Sequence, residues 1–265
     1  MERVKMAKLI FLGSNGWFST KLSSSVCALV DIEKKYIVLD AGEGFQHLDK
    51  FITEDKPIDI FISHLHLDHI IGFHILPKFH FKNKINIYVH KSSKKFLSNF
   101  IKEPYTASLT LLKKFSNLDI SIIGIDNKTK FEGYDVVFRK LVHNVPCLGF
   151  RFSFLENGEN GVYKSLAYCT DTGPCKNLNF LAKNVDILIT ECGLLEKEKP
   201  NPIWPHMGPI QAAKAAKFSN SKKLVLSHFS PIKYPTLLSR KLASLSAKKI
   251  FPNTIFAKDF LKINF

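Results

Sequence analysis

Ser63-His64-Leu65-His66-Leu67-Asp68-His69 packs three imidazoles and a carboxylate into six residues, His64 to His69. The residues before it, Ile58–Ile62, form a nearly continuous apolar run, as expected for a strand covered on both faces. His64 and His66 stand at i and i+2, which places their side chains on one face of an extended chain. Asp68 and His69 follow where the chain turns toward a helix. Imidazole nitrogen and carboxylate oxygen are ligands of zinc, and they also suit manganese or iron. Four such donors at one strand end can contribute to holding two neighbouring cations.

Upstream of this run, Leu9–Gly13, Val26–Ile32 and Tyr36–Asp40 read as strands separated by turn residues, and Gly42–Phe51 as a helix. Downstream, a helix is expected over Ile70–Phe79, a strand over Asn86–Val89 and a helix over Ser92–Ile101. From Ile120 to Tyr168 strand character dominates, in Ile120–Ile125, Phe131–Leu141, Gly149–Leu155 and Val162–Tyr168. Asn157-Gly158-Glu159-Asn160-Gly161 marks a hairpin turn between the last two. Alternation then returns, with helices over Lys176–Lys183, Pro209–Phe218 and Pro235–Ala247, and strands over Asp186–Glu191 and Lys223–Ser227. Helices toward both ends of a β-rich middle predict an α/β fold, a four-layer α/β/β/α sandwich formed by one domain over residues 1–265.

The 265 residues are 45% hydrophobic, normal for a globular core, and no stretch is apolar enough to span a bilayer. The brief run Leu9–Leu12 reads as a first strand and not as a secretory signal. The five cysteines are odd in number and form no C-x-x-C pair, which argues against a disulfide framework and a thiolate zinc site. A cytoplasmic protein is expected. The formal charge of +15 favours an anionic substrate. Only four of the 38 basic residues are arginine, the side chain that forks onto phosphate, so the charge by itself does not identify a nucleic-acid binder.

The H-x-H-x-D-H pattern resembles the metal-binding motif of metallo-β-lactamase-fold hydrolases, and further fragments match in order. These are Leu39-Asp40-Ala41-Gly42-Glu43-Gly44, His143-Asn144-Val145-Pro146, Thr170-Asp171-Thr172 and Leu226-Ser227-His228-Phe229-Ser230. The resemblance implies two divalent cations, zinc first and manganese second. His64, His66 and His143 would bind one and Asp68, His69 and His228 the other, with Asp171 bridging. Asp40 would orient a ligand imidazole.

Finer matches resemble the ribonuclease Z-like and phosphodiesterase branch. They are Gly42-Glu43-Gly44-Phe45-Gln46-His47, His143–Phe150, Glu191 at a strand end, and His206-Met207-Gly208 before a helix. By that resemblance His206 protonates the leaving oxygen, Glu191 orients His206, and Asp68 steers a hydroxide shared by the cations. His47, His74, His80 and His90 match no ligand position and read as structural or surface groups. Ribonuclease Z enzymes carry a tRNA-gripping arm between the third-motif histidine and the fourth-motif aspartate; here that interval, His143 to Asp171, has room for two strands and a turn.

The reading is therefore a dinuclear phosphodiesterase acting on an anionic, small nucleotide-like or RNA substrate, with no membrane partner; a homodimer is one assembly open to it, and the sequence does not fix the oligomeric state. The alternatives are a ribonuclease Z-type endonuclease without the usual arm and a non-catalytic metal-binding regulatory protein.

Overall fold

The computed structural model of the chain describes residues 6–156 and 161–265. Its strands, in chain order, are β1 (Lys8–Gly13), β2 (Cys27–Asp31), β3 (Tyr36–Leu39), β4 (Ile58–Phe61), β5 (Lys84–His90), β6 (Asp119–Ile125), β7 (Asp135–Lys140), β8 (Leu148–Glu156), β9 (Val162–Cys169), β10 (Ile187–Cys192), β11 (Lys223–Phe229), β12 (Thr254–Phe256) and β13 (Lys262–Asn264). The helices are α1 (Leu67–Ile70), α2 (Lys94–Phe100), α3 (Leu109–Ser116), α4 (Lys176–Leu181), α5 (Pro209–Phe218) and α6 (Leu237–Lys248), with 3-10 turns over Glu43–Lys50, Ile71–Lys78 and Lys91–Ser93.

The strands form two sheets, one ordered β13-β1-β2-β3-β4-β5-β6 and the other β12-β11-β10-β9-β8-β7. In the first, β3 to β6 run parallel; in the second, β9 to β12 do. Strand alternation divides the core. Leu9, Phe11, Val30, Leu39 and Phe61 face Phe150, Phe152, Leu166 and Ile189 between the sheets. Ile10, Leu12, Leu29 and Ile60 point outward against Phe45, Phe73 and Leu97. On the far side Leu188, Leu224 and Leu226 meet Leu178, Ala212, Ala216 and Ala247 of the helices. Both faces of each sheet are thus covered, which explains the nearly continuous apolar runs and gives the expected α/β/β/α sandwich.

Phe61 closes β4 at the centre of this core. Its ring stacks on Tyr88 (4.8 Å between centroids) and meets Phe152 edge-on at 4.9 Å. Truncating such a buried aromatic costs about 3–5 kcal/mol, so the strand end that launches the histidine run is firmly anchored.

Several boundaries differ from the sequence reading. The helix expected over Gly42–Phe51 is a 3-10 turn over Glu43–Lys50, where Gly44 lies so close to β1 that a Cβ would stand 2.7 Å from the Gly13 nitrogen. The helix expected over Ile70–Phe79 begins earlier, as α1, and continues as a 3-10 turn that contains Pro77. Strand β7 starts only at Asp135, because Gly133 takes a left-handed φ of 88° and turns the chain. The chain does not end in helix: β13 returns to pair with β1. The expected turn at Asn157–Gly161 lies, except for Gly161, outside the described residues; the strands beside it pair antiparallel, Glu156 opposite Val162. Among the described residues no helix is long and apolar enough to cross a membrane.

Candidate metal centre

The carboxyl ends of the parallel strands from both sheets converge, the place where open α/β sheets collect ligand-binding residues. From the first sheet come Asp40 after β3 and the run Ser63–His69 after β4. From the second come Asp171 after β9, Glu191 on β10 and His228 on β11. His143 follows β7, and His206 precedes α5.

Three of these residues have a left-handed backbone: Asp40 (φ 57°), Asp171 (φ 52°) and His228 (φ 46°). Such conformations cost energy and are retained where the surroundings enforce them, often at functional sites. At His228 the cause is visible. The β10–β11 register pairs Glu191 with Ser227 and then Cys192 with Phe229, so His228 is the extra residue of a bulge. A bulge re-aims a side chain that regular pairing would send elsewhere. Gly16 makes room for that ring, since a Cβ there would lie 2.3 Å from His228 Cε1.

The donors fall into two groups, and within each the donor atoms lie within 4.8 Å of one another: His64, His66, His143 and Asp171, then Asp68, His69 and His228. Imidazole nitrogens approach nitrogens, with His64 Nε2 2.9 Å from His66 Nδ1, His69 Nε2 3.1 Å from His228 Nε2, and His143 Nε2 3.4 Å from His66 Nδ1. Two nitrogens bound tetrahedrally to one zinc at ~2.05 Å stand about 3.3 Å apart. Asp171 lies between the groups, with Oδ2 3.4 Å from both His64 Nε2 and His69 Nε2, and Oδ1 3.0 Å from His228 Nε2. These residues fit a pair of divalent cations.

The surrounding groups fix the ligands. Buried Asp40 accepts the Ser63 amide at 2.7 Å and the Ser63 hydroxyl at 2.8 Å, takes the Tyr168 hydroxyl at 2.7 Å, and lies 2.8 Å from His69 Nδ1. That contact turns His69 Nε2 toward the cluster, as carboxylates behind ligand imidazoles do. Asp68 Oδ2 accepts the Trp17 amide at 2.7 Å.

Burial pushes the His64 pKa well below the ordinary range, with the neighbouring His69 adding to it, and takes His143 down to about 4 against the pull of Asp171. Burial opposes charge on His228 too, but Asp171 raises it to about 10. Burial likewise works against ionised Asp171, yet His228 and His69 hold its carboxyl well below the ordinary range. His64 and His143 are therefore favoured in the neutral form, with lone pairs free for a cation, whereas the carboxylates Asp171 and Asp68 favour a proton on His228 that a cation would have to displace.

Beside the donors stands a third cluster, Asp171, Glu191 and His206. Glu191 is wholly buried; Oε1 accepts the Thr172 amide at 2.6 Å and Oε2 lies 2.9 Å from His206 Nδ1. With its oxygens engaged, Glu191 serves as a partner for His206. Burial alone lowers the His206 pKa, but the charge and hydrogen bond of Glu191 raise it above the ordinary value. A cavity of about 750 Å³ opens over the site, lined by His66, Asp68, Asp171, His206 and His228 among others.

Every predicted site residue thus lies in this one region. His74 and His80 are exposed, while His47 and His90 are partly buried away from the donors. The sequence reading gave no role to Ser63, Tyr168, Gly16 or Trp17. Ser63 carries a signal in adjoining the histidine run; nothing local marks the other three.

A family model described as beta-lactamase superfamily domain matches residues 35–229. A ribonuclease Z of Prochlorococcus marinus subsp. pastoris is 30% identical over 316 aligned positions, covering 96% of this chain and 98% of the relative. Because that alignment exceeds the 265 residues here, the relative carries stretches without a counterpart in this chain. Among solved structures, the metallo-beta-lactamase fold protein YhfI of Bacillus subtilis superposes with a TM-score of 0.77 at 19% identity, covering 98% of this chain and all (100%) of that one. The short form of human tRNase Z superposes with a TM-score of 0.69 at 21% identity, covering 97% and 98%. At these identities both structures speak for the fold alone.

Proposed function

The chain belongs to the β-lactamase superfamily, and on that footing we propose that this metal-dependent hydrolase is a phosphodiesterase working with two divalent cations, zinc first and manganese second. The observation that carries the reading is the meeting, in one cavity, of two donor groups with a buried carboxylate–imidazole pair, Glu191–His206.

His64, His66 and His143 would hold one cation and Asp68, His69 and His228 the other, with Asp171 lying between the two groups. When bound, the cations polarise phosphoryl oxygens and lower the pKa of water. Asp68, on the cavity wall, orients the attacking water by accepting its hydrogen. His206, kept protonated by Glu191, donates its proton to the departing alkoxide. The raised pKa fixes the direction of the pH effect: the protonated acid persists to higher pH than in a free imidazole, and activity falls as pH rises through that pKa.

The test compares leaving groups. His206→Ala should slow hydrolysis of a dinucleotide, which expels an alkoxide, by about 10²–10⁴-fold. It should slow bis(p-nitrophenyl) phosphate far less, because nitrophenolate departs without a proton. Equal losses on both would remove His206 as the acid.

A second reading, a ribonuclease Z-type endonuclease, is favoured by the 30%-identical relative of that name. The interval from His143 to Asp171 is filled by β8, β9 and their connection, which leaves no room for an arm there. Cleavage of a pre-tRNA with steeply salt-dependent binding would support this reading over a small diester.

For assembly, α6 turns Leu238, Leu242 and Leu245 outward on one face, and this supports a homodimer built through that helix. The five free cysteines suit the reducing cytoplasm.

A further inference from the structure

The wall of the cavity does not match the charge of its floor. Around the donors stand exposed apolar side chains: Trp17 (68% exposed), Phe18, Leu67 and Trp204 (50% exposed). Trp17 and Trp204 are the two tryptophans of the whole chain. Large aromatics left in water at a cavity mouth call for an occupant.

Each tryptophan belongs to one half of the donor set. The Trp204 ring lies parallel to His66, with centroids 5.9 Å apart and planes 8° apart, and 6.1 Å from the rings of both His143 and His206. Trp17 gives its amide to Asp68, a donor of the other half. Both are held in place. Trp17 keeps a left-handed backbone at φ 65°, unusual for a bulky residue and a strain associated with functional sites. Its loop is tied down by the fully buried Arg240, which donates to Ser14 Oγ at 3.0 Å and to Asn15 Oδ1. The Trp204 loop is braced by Asn201 Oδ1, which accepts the Ile203 amide at 2.8 Å.

We propose that Trp17 and Trp204 are specificity-determining residues that stack a nucleobase beside the scissile phosphate, with Trp204 taking the base on the leaving-group side, next to His206. This rests on the phosphodiesterase reading above and adds the recognition of the group attached to the phosphate. A diester of plain alkyl or sugar groups offers these rings nothing planar, whereas every nucleobase has a π-face and stacks without regard to sequence. The net charge of +15 complements the phosphate of the same ligand.

Because both tryptophans lie at this mouth, the intrinsic fluorescence of the full chain reports on the site directly. Titration with adenosine 5′-monophosphate should quench it saturably, ribose 5-phosphate should not, and Trp204→Ala should remove the larger share of the quench. In turnover, the preference in kcat/KM for a dinucleotide over the same diester lacking both bases should fall roughly tenfold in Trp204→Ala. Trp204→Phe, which keeps an aromatic face, should retain most of it. No quench by the nucleotide, equal quench by ribose 5-phosphate, or an unchanged preference in Trp204→Ala would overturn the proposal. Quenching by the nucleotide without hydrolysis of any diester would uphold base stacking and sink the phosphodiesterase reading instead.

Discussion

The two sheets supply their donors to one centre in opposite ways. The first delivers His64, His66, Asp68 and His69 from a single turn after β4, anchored by Phe61 on one side and Asp40 on the other. The second delivers Asp171 and His228 from separate strands, each by way of a left-handed backbone and, for His228, a bulge. A contiguous run needs only local geometry to bring its donors together. Scattered donors need the whole sheet in register, with a strained backbone at Asp171 and His228, while His143 joins them from the loop after β7 without such strain. The first half is therefore robust and locally encoded, and the second depends on tertiary packing.

That contrast can be broken by substitutions of decreasing effect. The largest falls on the residue that joins the halves. Asp171→Ala should lower phosphodiesterase activity on the order of 10³-fold and reduce bound cation, read by steady-state rates beside metal content. Full activity in that variant would mean that the halves do not share a bridge. A smaller effect is expected behind the first half: Asp40→Asn removes the carboxylate that fixes His69 and should cost about 10–100-fold in metal affinity or activity. Metal titration of the folded variant reads this, and an unaltered affinity would show that His69 needs no orienting partner. The smallest concerns assembly. Leu242→Glu on α6 should shift the sedimentation coefficient toward the monomer, with stability changed by no more than ~0.5 kcal/mol as expected for a surface position; an unmoved boundary would dismiss that face.

The same contrast governs what could be read in advance. The histidine run was legible because its spacing, its carboxylate and the apolar strand before it coincide within a dozen residues. His143, Asp171, His206 and His228 were recognisable only through the family, since each alone is an ordinary strand-end or turn residue. Asp40 reads as an orienting carboxylate from its place in the Leu39–Gly44 match, but its partner Tyr168 lies 128 residues away in the other sheet and leaves no local mark. Trp17 and Trp204 sit in loops, where no periodicity separates a binding residue from a spacer. Strands β12 and β13 escaped notice because three residues each carry too little pattern. The α3 helix, between α2 and β6, was likewise not anticipated.

Counting cations tests the union of the two halves most directly. After zinc loading and removal of excess metal, elemental analysis of the wild-type chain should give two ions per chain, and Asp171→Ala or His228→Ala should give fewer. A wild-type value of zero, or a value of two that survives both substitutions, would contradict a centre built jointly by the two sheets.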